Sequence, residues 1–480
     1  MASVRHGSAD HQSPEANSAS VDHPVATIAA TILGSSLAMI DGSVVNVALP
    51  TIGAAFKAGP AALAWLINAY LLPLGALILL GGAIGDHYGR RRTFQIGVGI
   101  FLVASLLCTM APTLPLLLAG RGLQGLGSAI LMPNSLAILG ASFSGRARGR
   151  AIGTWAAVGA IAAAVSPLLG GWMLDAFGWR PIFAINLPIG LSAMWLARYA
   201  NESHDHREAR RLDWIGGAIV TTGLGLVVWA LSASSEPPGL RPSVSVAASL
   251  GALLLAAFVW LQVRKGDQAL MPPALFGTWS FVGLSLLTFF LYAALGGLIV
   301  LLPFLLIRLG HYSALEAGAA MLPIPLLIGV GSRFMGDVAA RVGGRALLSS
   351  GALIVATGLA LYARVGADSV GYWRDILPPT ALIAVGMAIC VAPLTTSVMA
   401  SVDADHVGAA SGFNSALARI GGLFATALLG FVFASGDDVA TLVARIHVAA
   451  FVGAASSVLA GLCAFAMMRK VTAESNKARS

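Results

Sequence analysis

Apolar residues run in long blocks separated by short polar joints, from the mid-twenties of the chain almost to its end. Blocks of about 20 residues are what a helix needs to cross the hydrocarbon core of a bilayer. The strict alternation of a membrane barrel is not their pattern, so helices are expected. Fourteen spans are predicted, near residues 25–49, 63–85, 94–110, 114–139, 151–174, 181–199, 214–231, 244–263, 281–306, 314–338, 346–363, 377–399, 408–433 and 446–468. An even number returns both chain ends to one face.

Composition agrees with that pattern. Of 480 residues, 57% are hydrophobic and 10% charged, with a mean hydropathy of +0.83, whereas a soluble domain is about one-quarter charged. The expected fold class is therefore an all-α membrane protein. Residues 1–24 are polar, set Arg5 against Asp10, Glu15 and Asp22, and lack a basic leader region and a cleavage site. They are expected to be a disordered tail and not a signal peptide.

A net charge of +8 would point to nucleic acid in a soluble chain. Here topology explains it. With both ends inside, 20 of the 29 basic residues fall in inside segments and 7 in outside loops, leaving Arg121 and Arg419 within the bilayer. That asymmetry predicts a bacterial cytoplasmic membrane protein with both termini cytoplasmic, contacting anionic lipid, and with no nucleic-acid partner.

The loop after the second span reads GAIGDHYGRRR from Gly82, and the loop after the tenth reads GDVAARVGGRA from Gly336. Gly82 and Gly336, Gly89 and Gly343, and Arg91 and Arg345 share one offset of 254 residues, which spans eight helices. Ala340 stands where Asp86 stands in the first copy. Two six-helix bundles related by a pseudo-twofold axis are expected at 25–200 and 280–468, with an inserted helix pair at 213–264 and a basic tail at 469–480. Parallel repeats of this kind are found in secondary transporters that rock around a midplane site.

These motifs resemble the major facilitator superfamily, specifically its fourteen-helix drug:proton antiporter group, from the first helix to the last. Gly82, Asp86, Gly89, Arg90 and Arg91 match the loop signature, with His87 replacing the usual basic residue. LLLAGRGLQGLGSA around Arg121 is similar to the signature of the fourth helix. GAIAAAVSPLLGG from Gly159 resembles the antiporter signature of the fifth, with Ser166 where a glycine usually precedes Pro167. WRPIFAINLPIG from Trp179, LDWIGG from Leu212 and GAASGFNSALARIGG from Gly408 are also like the fourteen-helix group. The resemblance implies coupling roles for Asp41 and Arg121, and a conformational latch at the loop in which Asp86 meets the end of a facing helix.

Charges inside the bilayer are the candidate chemistry, because a central carboxylate costs about 2.5 to 3.5 kcal/mol on insertion-derived scales. Asp41 lies eight residues before the predicted outer end of its helix and Arg121 seven residues into the fourth span, about 12 and 10 Å deep. Matched depth makes them candidate partners. Asn46, Asn68 and Gln124 lie near that level and, with Asn414 and Arg419 of the thirteenth span, are the candidate substrate contacts. Burial disfavours an ionised carboxylate and a nearby guanidinium favours it, so a rocking motion could load and release a proton at Asp41. The other reading is a static ion pair fixing two helices. Arg419 and Asn414 could line a cavity or brace their own half-bundle. Gly159, Ala163, Pro167 and Gly171 step by four along the fifth span as a smooth ridge, suited either to sliding against the opposite half or to ordinary helix packing.

Cys108, Cys390 and Cys463 stand alone in separate spans, with no disulfide or zinc spacing. His204 and His206 imitate a metal pair but sit among charged residues in a solvated loop. No Walker loop, HExxH or GxSxG is present, so no enzyme, metal or cofactor is expected, and protons are the coupling ion. The function expected is proton-coupled efflux of small hydrophobic or amphiphilic compounds by a functional monomer. The alternatives are export of an endogenous metabolite or lipid, or nutrient symport on the same fold.

Overall fold

The computed structural model describes residues 23–204, 212–235, 241–266, 269–366, 370–403, 406–434 and 438–468, with backbone alone at 337 and 340. The expected tails at 1–22 and 469–480, and His206, lie outside the described residues. The helices are α1 (Pro24–Phe56), α2 (Pro60–Tyr88), α3 (Arg90–Met110), α4 (Leu114–Ser142), α5 (Gly145–Phe177), α6 (Pro181–Ala184), α7 (Asn186–Ala197) and α8 (Trp214–Ala233). They continue as α9 (Pro242–Lys265), α10 (Trp279–Arg308), α11 (Ala314–Ala320), α12 (Pro323–Val342), α13 (Gly344–Leu361), α14 (Leu377–Ala400), α15 (Val407–Phe433) and α16 (Val439–Met467).

Thirteen of the described helical segments are long and apolar enough to span a membrane, and the shorter Pro181–Ala197 completes the expected fourteen. Two spans are broken in two, and proline accounts for both breaks. Pro188 cannot donate to the carbonyl four residues back at the α6–α7 joint, and Pro323 and Pro325 do the same at the α11–α12 joint. Pro50 has the opposite outcome. The expected end of the first span at residue 49 stops at that proline, yet α1 runs through it to Phe56 and ends on Lys57 in the left-handed region at φ 49°. Neighbouring helices keep such a proline helical in a membrane protein.

Burial is inverted relative to a soluble protein. Large apolar side chains such as Ile96, Val103, Leu106 and Met110 of α3 face outward, while Asp41, Asn68, Arg121, Gln124 and Asn186 are buried. A lipid exterior explains both facts, since polar groups find partners only inside.

The repeat shows in the packing. α3 and α2 pack on α4 as α13 and α12 pack on α14; α1 packs on α5 and α7 as α10 packs on α15 and α16. Gly89 and Gly343 close α2 and α12 at φ 103° and 90°, a conformation that favours glycine and lets the next helix start at once. A Cβ at Gly89 would also lie 2.8 Å from the Glu202 carboxyl carbon.

The inserted α8 leans on both α2 and α15, covering one seam between the bundles. Asp213 caps α8 through the Gly216 amide at 2.7 Å and accepts from Gln262 at 2.8 Å and Lys265 at 2.5 Å on α9. Burial works to raise the Asp213 carboxyl, and these bonds outweigh it, leaving it below the usual carboxylate range. The LDWIGG stretch thus clamps the helix pair at the face where α1 begins and α16 ends.

Candidate functional site: a buried ion pair behind an inter-bundle cavity

α1 runs on to Phe56, fifteen residues beyond Asp41, while its partner Arg121 lies seven residues into α4, so Asp41 sits about 10 Å below the outer end of α4, as expected. It is 1% exposed, as is Arg121. Arg121 Nη1 donates directly to Asp41 Oδ2 and at 2.7 Å to Gln124 Oε1. Gln124 Nε2 donates to Asp41 Oδ1 at 2.9 Å and to Ser105 at 2.9 Å. Asn186 Nδ2 donates to the same Asp41 oxygen at 3.2 Å. Arg121 Nε reaches the Leu66 carbonyl at 3.1 Å, and its guanidinium lies 4.5 Å from the Tyr70 ring centroid. Charge neutralisation plus bonds to the remaining lone pairs is what makes a buried pair tolerable.

A cavity of about 510 Å³ lies between the bundles, lined by α1, α2 and α5 on one side and α10, α14 and α15 on the other. Asn46, Ala163, Asn414 and Arg419 are in its wall; Asp41, Arg121, Gln124 and Asn68 are not. Tyr70 stands between cavity and pair. Its hydroxyl is held by the Ala38 carbonyl at 2.9 Å and by Ser128 at 3.1 Å. Gln124, expected to touch substrate, therefore serves the ion pair. Asn68 is fully buried off the cavity wall, with neither polar side-chain atom bonded.

The cavity extends to Thr395 and Met399 in the last turns of α14 and to Ser415 near the start of α15, all exposed. It opens toward the face where α1 begins and α16 ends. The other end is shut by α5 and α11. The Asp175 carboxylate accepts from the amides of Ala314 at 3.3 Å and Leu315 at 2.9 Å, and a Cβ at Gly171 would stand 2.2 Å from the Ala314 carbonyl oxygen. The four-residue ridge on α5 accordingly changes neighbours along its length, because a step of four drifts about 40° around a helix. Gly159 meets Met39 of α1, Ala163 faces the cavity, and Pro167 and Gly171 meet α11. Ser166 fills the usual glycine position with a bond of 2.8 Å to the Ile40 carbonyl, tying α5 to α1.

The loop cluster differs from expectation. Asp86 pairs with Arg90 of its own loop at 2.8 Å and not with the end of a facing helix. Glu202, after α7, accepts from the Arg91 and Arg92 amides at 2.9 and 3.1 Å, and Arg91 reaches the Ala200 carbonyl at 3.0 Å. Asp86 near the end of α2 and Arg90 at the start of α3 lie across the Gly89 turn, which brings the two side chains together. These bonds lie within one bundle. Asn414 accepts from Thr288 at 2.6 Å, and Arg419 Nη2 rests 3.3 Å from the Met132 sulfur. Among the described residues no group of His, Cys, Asp and Glu could hold a metal.

Tyr70, Ser105, Asn186 and Asp175 were not among the expected site residues. Asn186 stands inside the WRPIFAINLPIG stretch, the only amide side chain of an otherwise apolar span, and that isolation was a usable signal. Nothing in the local sequence sets Tyr70 or Ser105 apart.

The sequence model of the Major Facilitator Superfamily matches residues 31–426. Multidrug resistance protein Stp of Mycobacterium tuberculosis is 33% identical over 411 residues, 85% of this chain and 76% of that one. Cephamycin export protein CmcT of Amycolatopsis lactamdurans is 34% identical over 432 residues, 88% of each chain. Among solved structures, a bacterial homolog of the human lysosomal transporter Spinster, inward-facing and unoccupied, superposes with a TM-score of 0.65 at 18% identity, covering 94% of this chain and all of that one. An auto-inhibited POT-family peptide transporter gives 0.68 at 17%, covering 93% and 98%. At those identities the structures bear on the fold alone.

Proposed function

Because the chain belongs to the Major Facilitator Superfamily, we propose that it is a proton-coupled exporter of small hydrophobic or amphiphilic compounds, drugs among them. It sits in the bacterial cytoplasmic membrane with both termini in the cytoplasm and works as a monomer by alternating access. Relatives named for multidrug resistance and cephamycin export support the direction. The observation that carries the coupling is Asp41, a carboxylate paired with Arg121 one side chain behind the cavity wall.

The cavity, open on the termini face, receives cargo from the cytoplasm or inner leaflet while Asp41 is ionised and held by Arg121. In the outward-open state a proton entering from outside neutralises Asp41 and releases the guanidinium, and cargo leaves. Return to the inward-open state restores the pair and discharges the proton to the cytoplasm. Arg121 keeps its own proton throughout and supplies the countercharge.

The test is flux in proteoliposomes with an acid lumen. Labelled amphiphiles should accumulate inside as protons leave, and a protonophore should release them. Accumulation that ignores the gradient refutes coupling, and cargo moving in the same direction as protons refutes antiport.

A further inference from the structure

Resting on the exporter reading above, we propose that the cargo is an organic anion, an amphiphile bearing a carboxylate or similar group, and that Arg419 is its anchor. Among the described residues the cavity wall contains one arginine and no aspartate or glutamate. The nearest carboxylate, Asp41, is fully engaged with Arg121, Gln124 and Asn186 and lies behind Tyr70. Arg419 has no such partner among the described residues. Its Nη2 touches only a thioether, at 3.3 Å, which is a weak acceptor, and its Nε is buried with no acceptor at all. A guanidinium in a low-dielectric wall without an anion is a costly arrangement that a bound carboxylate relieves.

The geometry suits such a ligand. A guanidinium offers a planar fork of donors that matches a carboxylate at two points. Tyr292, Leu295 and Ile299 of α10 form an apolar bank in the same cavity for the body of the molecule. A lipophilic cation would meet like charge at Arg419 and find no countercharge on the wall.

The test uses naphthoate, naphthamide and naphthyltrimethylammonium, which share one ring system and differ in charge. Binding is measured by equilibrium dialysis against the purified full chain in nanodiscs. Naphthoate should bind roughly tenfold or more tightly than the other two, since a hydrogen-bonded charge pair contributes on that scale. Arg419→Gln should remove that advantage, leaving the amide within about threefold and the cation bound no more weakly than before, as loss of one charge-assisted contact and of its like-charge repulsion requires. Arg419→Lys should retain part of it and controls for folding. Equal binding of the three, preference for the cation, no binding of any, or an anion preference intact in Arg419→Gln each overturns the assignment. Uptake of the same three compounds into proteoliposomes under an imposed pH gradient separates the two readings. Selective naphthoate binding with no proton-driven flux sinks the exporter and spares the anion site, whereas driven flux without anion preference does the reverse.

Discussion

Replacing Asp41 by asparagine and Arg121 by glutamine, singly and together, tests the ion pair, and the single changes are unequal. Asp41→Asn strands a guanidinium that cannot shed its proton. Breaking a buried pair costs about 3–5 kcal/mol. The Leu66 carbonyl, Gln124 and the Tyr70 ring remain as partners, and the ring alone offsets about 1–2 kcal/mol. About 1–4 kcal/mol of destabilisation is therefore expected. Arg121→Gln leaves a carboxyl that can take up a proton and stay bonded to Gln124 and Asn186, so about 1–2 kcal/mol is expected. The double variant restores neutrality and should be more stable than Asp41→Asn alone, with a coupling energy of about 2 kcal/mol. Thermal unfolding in one detergent ranks the four proteins. In transport, the double variant should keep counterflow within about tenfold and lose accumulation driven by a pH gradient, because the exchangeable proton is gone while the cavity is intact. Gradient-driven accumulation by the double variant would falsify proton exchange at Asp41; an Asp41→Asn protein as stable as the parent would show that Arg121 does not depend on it.

Tyr70→Ala removes the wall between pair and cavity; cargo-free proteoliposomes given an acid jump should leak protons faster than the parent, and an unchanged leak refutes Tyr70 as the barrier. Gly171→Ala puts a Cβ where the Ala314 carbonyl oxygen stands at 2.2 Å, so the α5–α11 seam should open. A cysteine at buried Ala317 should then react faster with an aqueous maleimide, and unchanged labelling refutes the gate. Asp213 is held below the usual carboxylate range, so its stabilisation is fully present above about pH 4, the unfolded value. It is lost as pH falls through the lower folded value. Lys265→Met should move the acid unfolding limit upward toward that of an ordinary aspartate, read by tryptophan fluorescence, and an unshifted limit removes the clamp from the account.

Fourteen spans, the two-bundle repeat and the Asp41–Arg121 partnership were legible because the bilayer makes hydrophobic length and isolated charge strong signals. The end of the first helix was less so: it was expected before Pro50, since a lone sequence does not show that neighbouring helices carry a proline through to Phe56. Which buried amide faces cavity and which faces protein was not legible either. Asn46 and Asn68 are both apolar-flanked asparagines near one level, and only the rotation of α1 and α2 sends one to the cavity and the other into the bundle. The partner of Asp86 was not legible: in this structure it is Arg90 across the Gly89 turn and not the end of a facing helix.

Coupling needs an element with two arrangements that both the proton and the cargo can bias. α1 meets both demands at Asp41 and in the cavity wall, since Ala38, Gly42 and Asn46 line the cavity on either side of the carboxylate. α1 is joined to α5 by the Ser166 bond to the Ile40 carbonyl, one residue from Asp41. The same α5 reaches the closed end of the cavity, where Gly171 and Asp175 lock onto the first residues of α11. On the coupling proposed above, a shift of α1 on a change of charge at Asp41 would pass through α5 to the contact with α11. The Ser166 hydroxyl holds α5 to α1 by a hydrogen bond where the usual glycine would only pack, so on that proposal the link is a bond as well as a matter of shape.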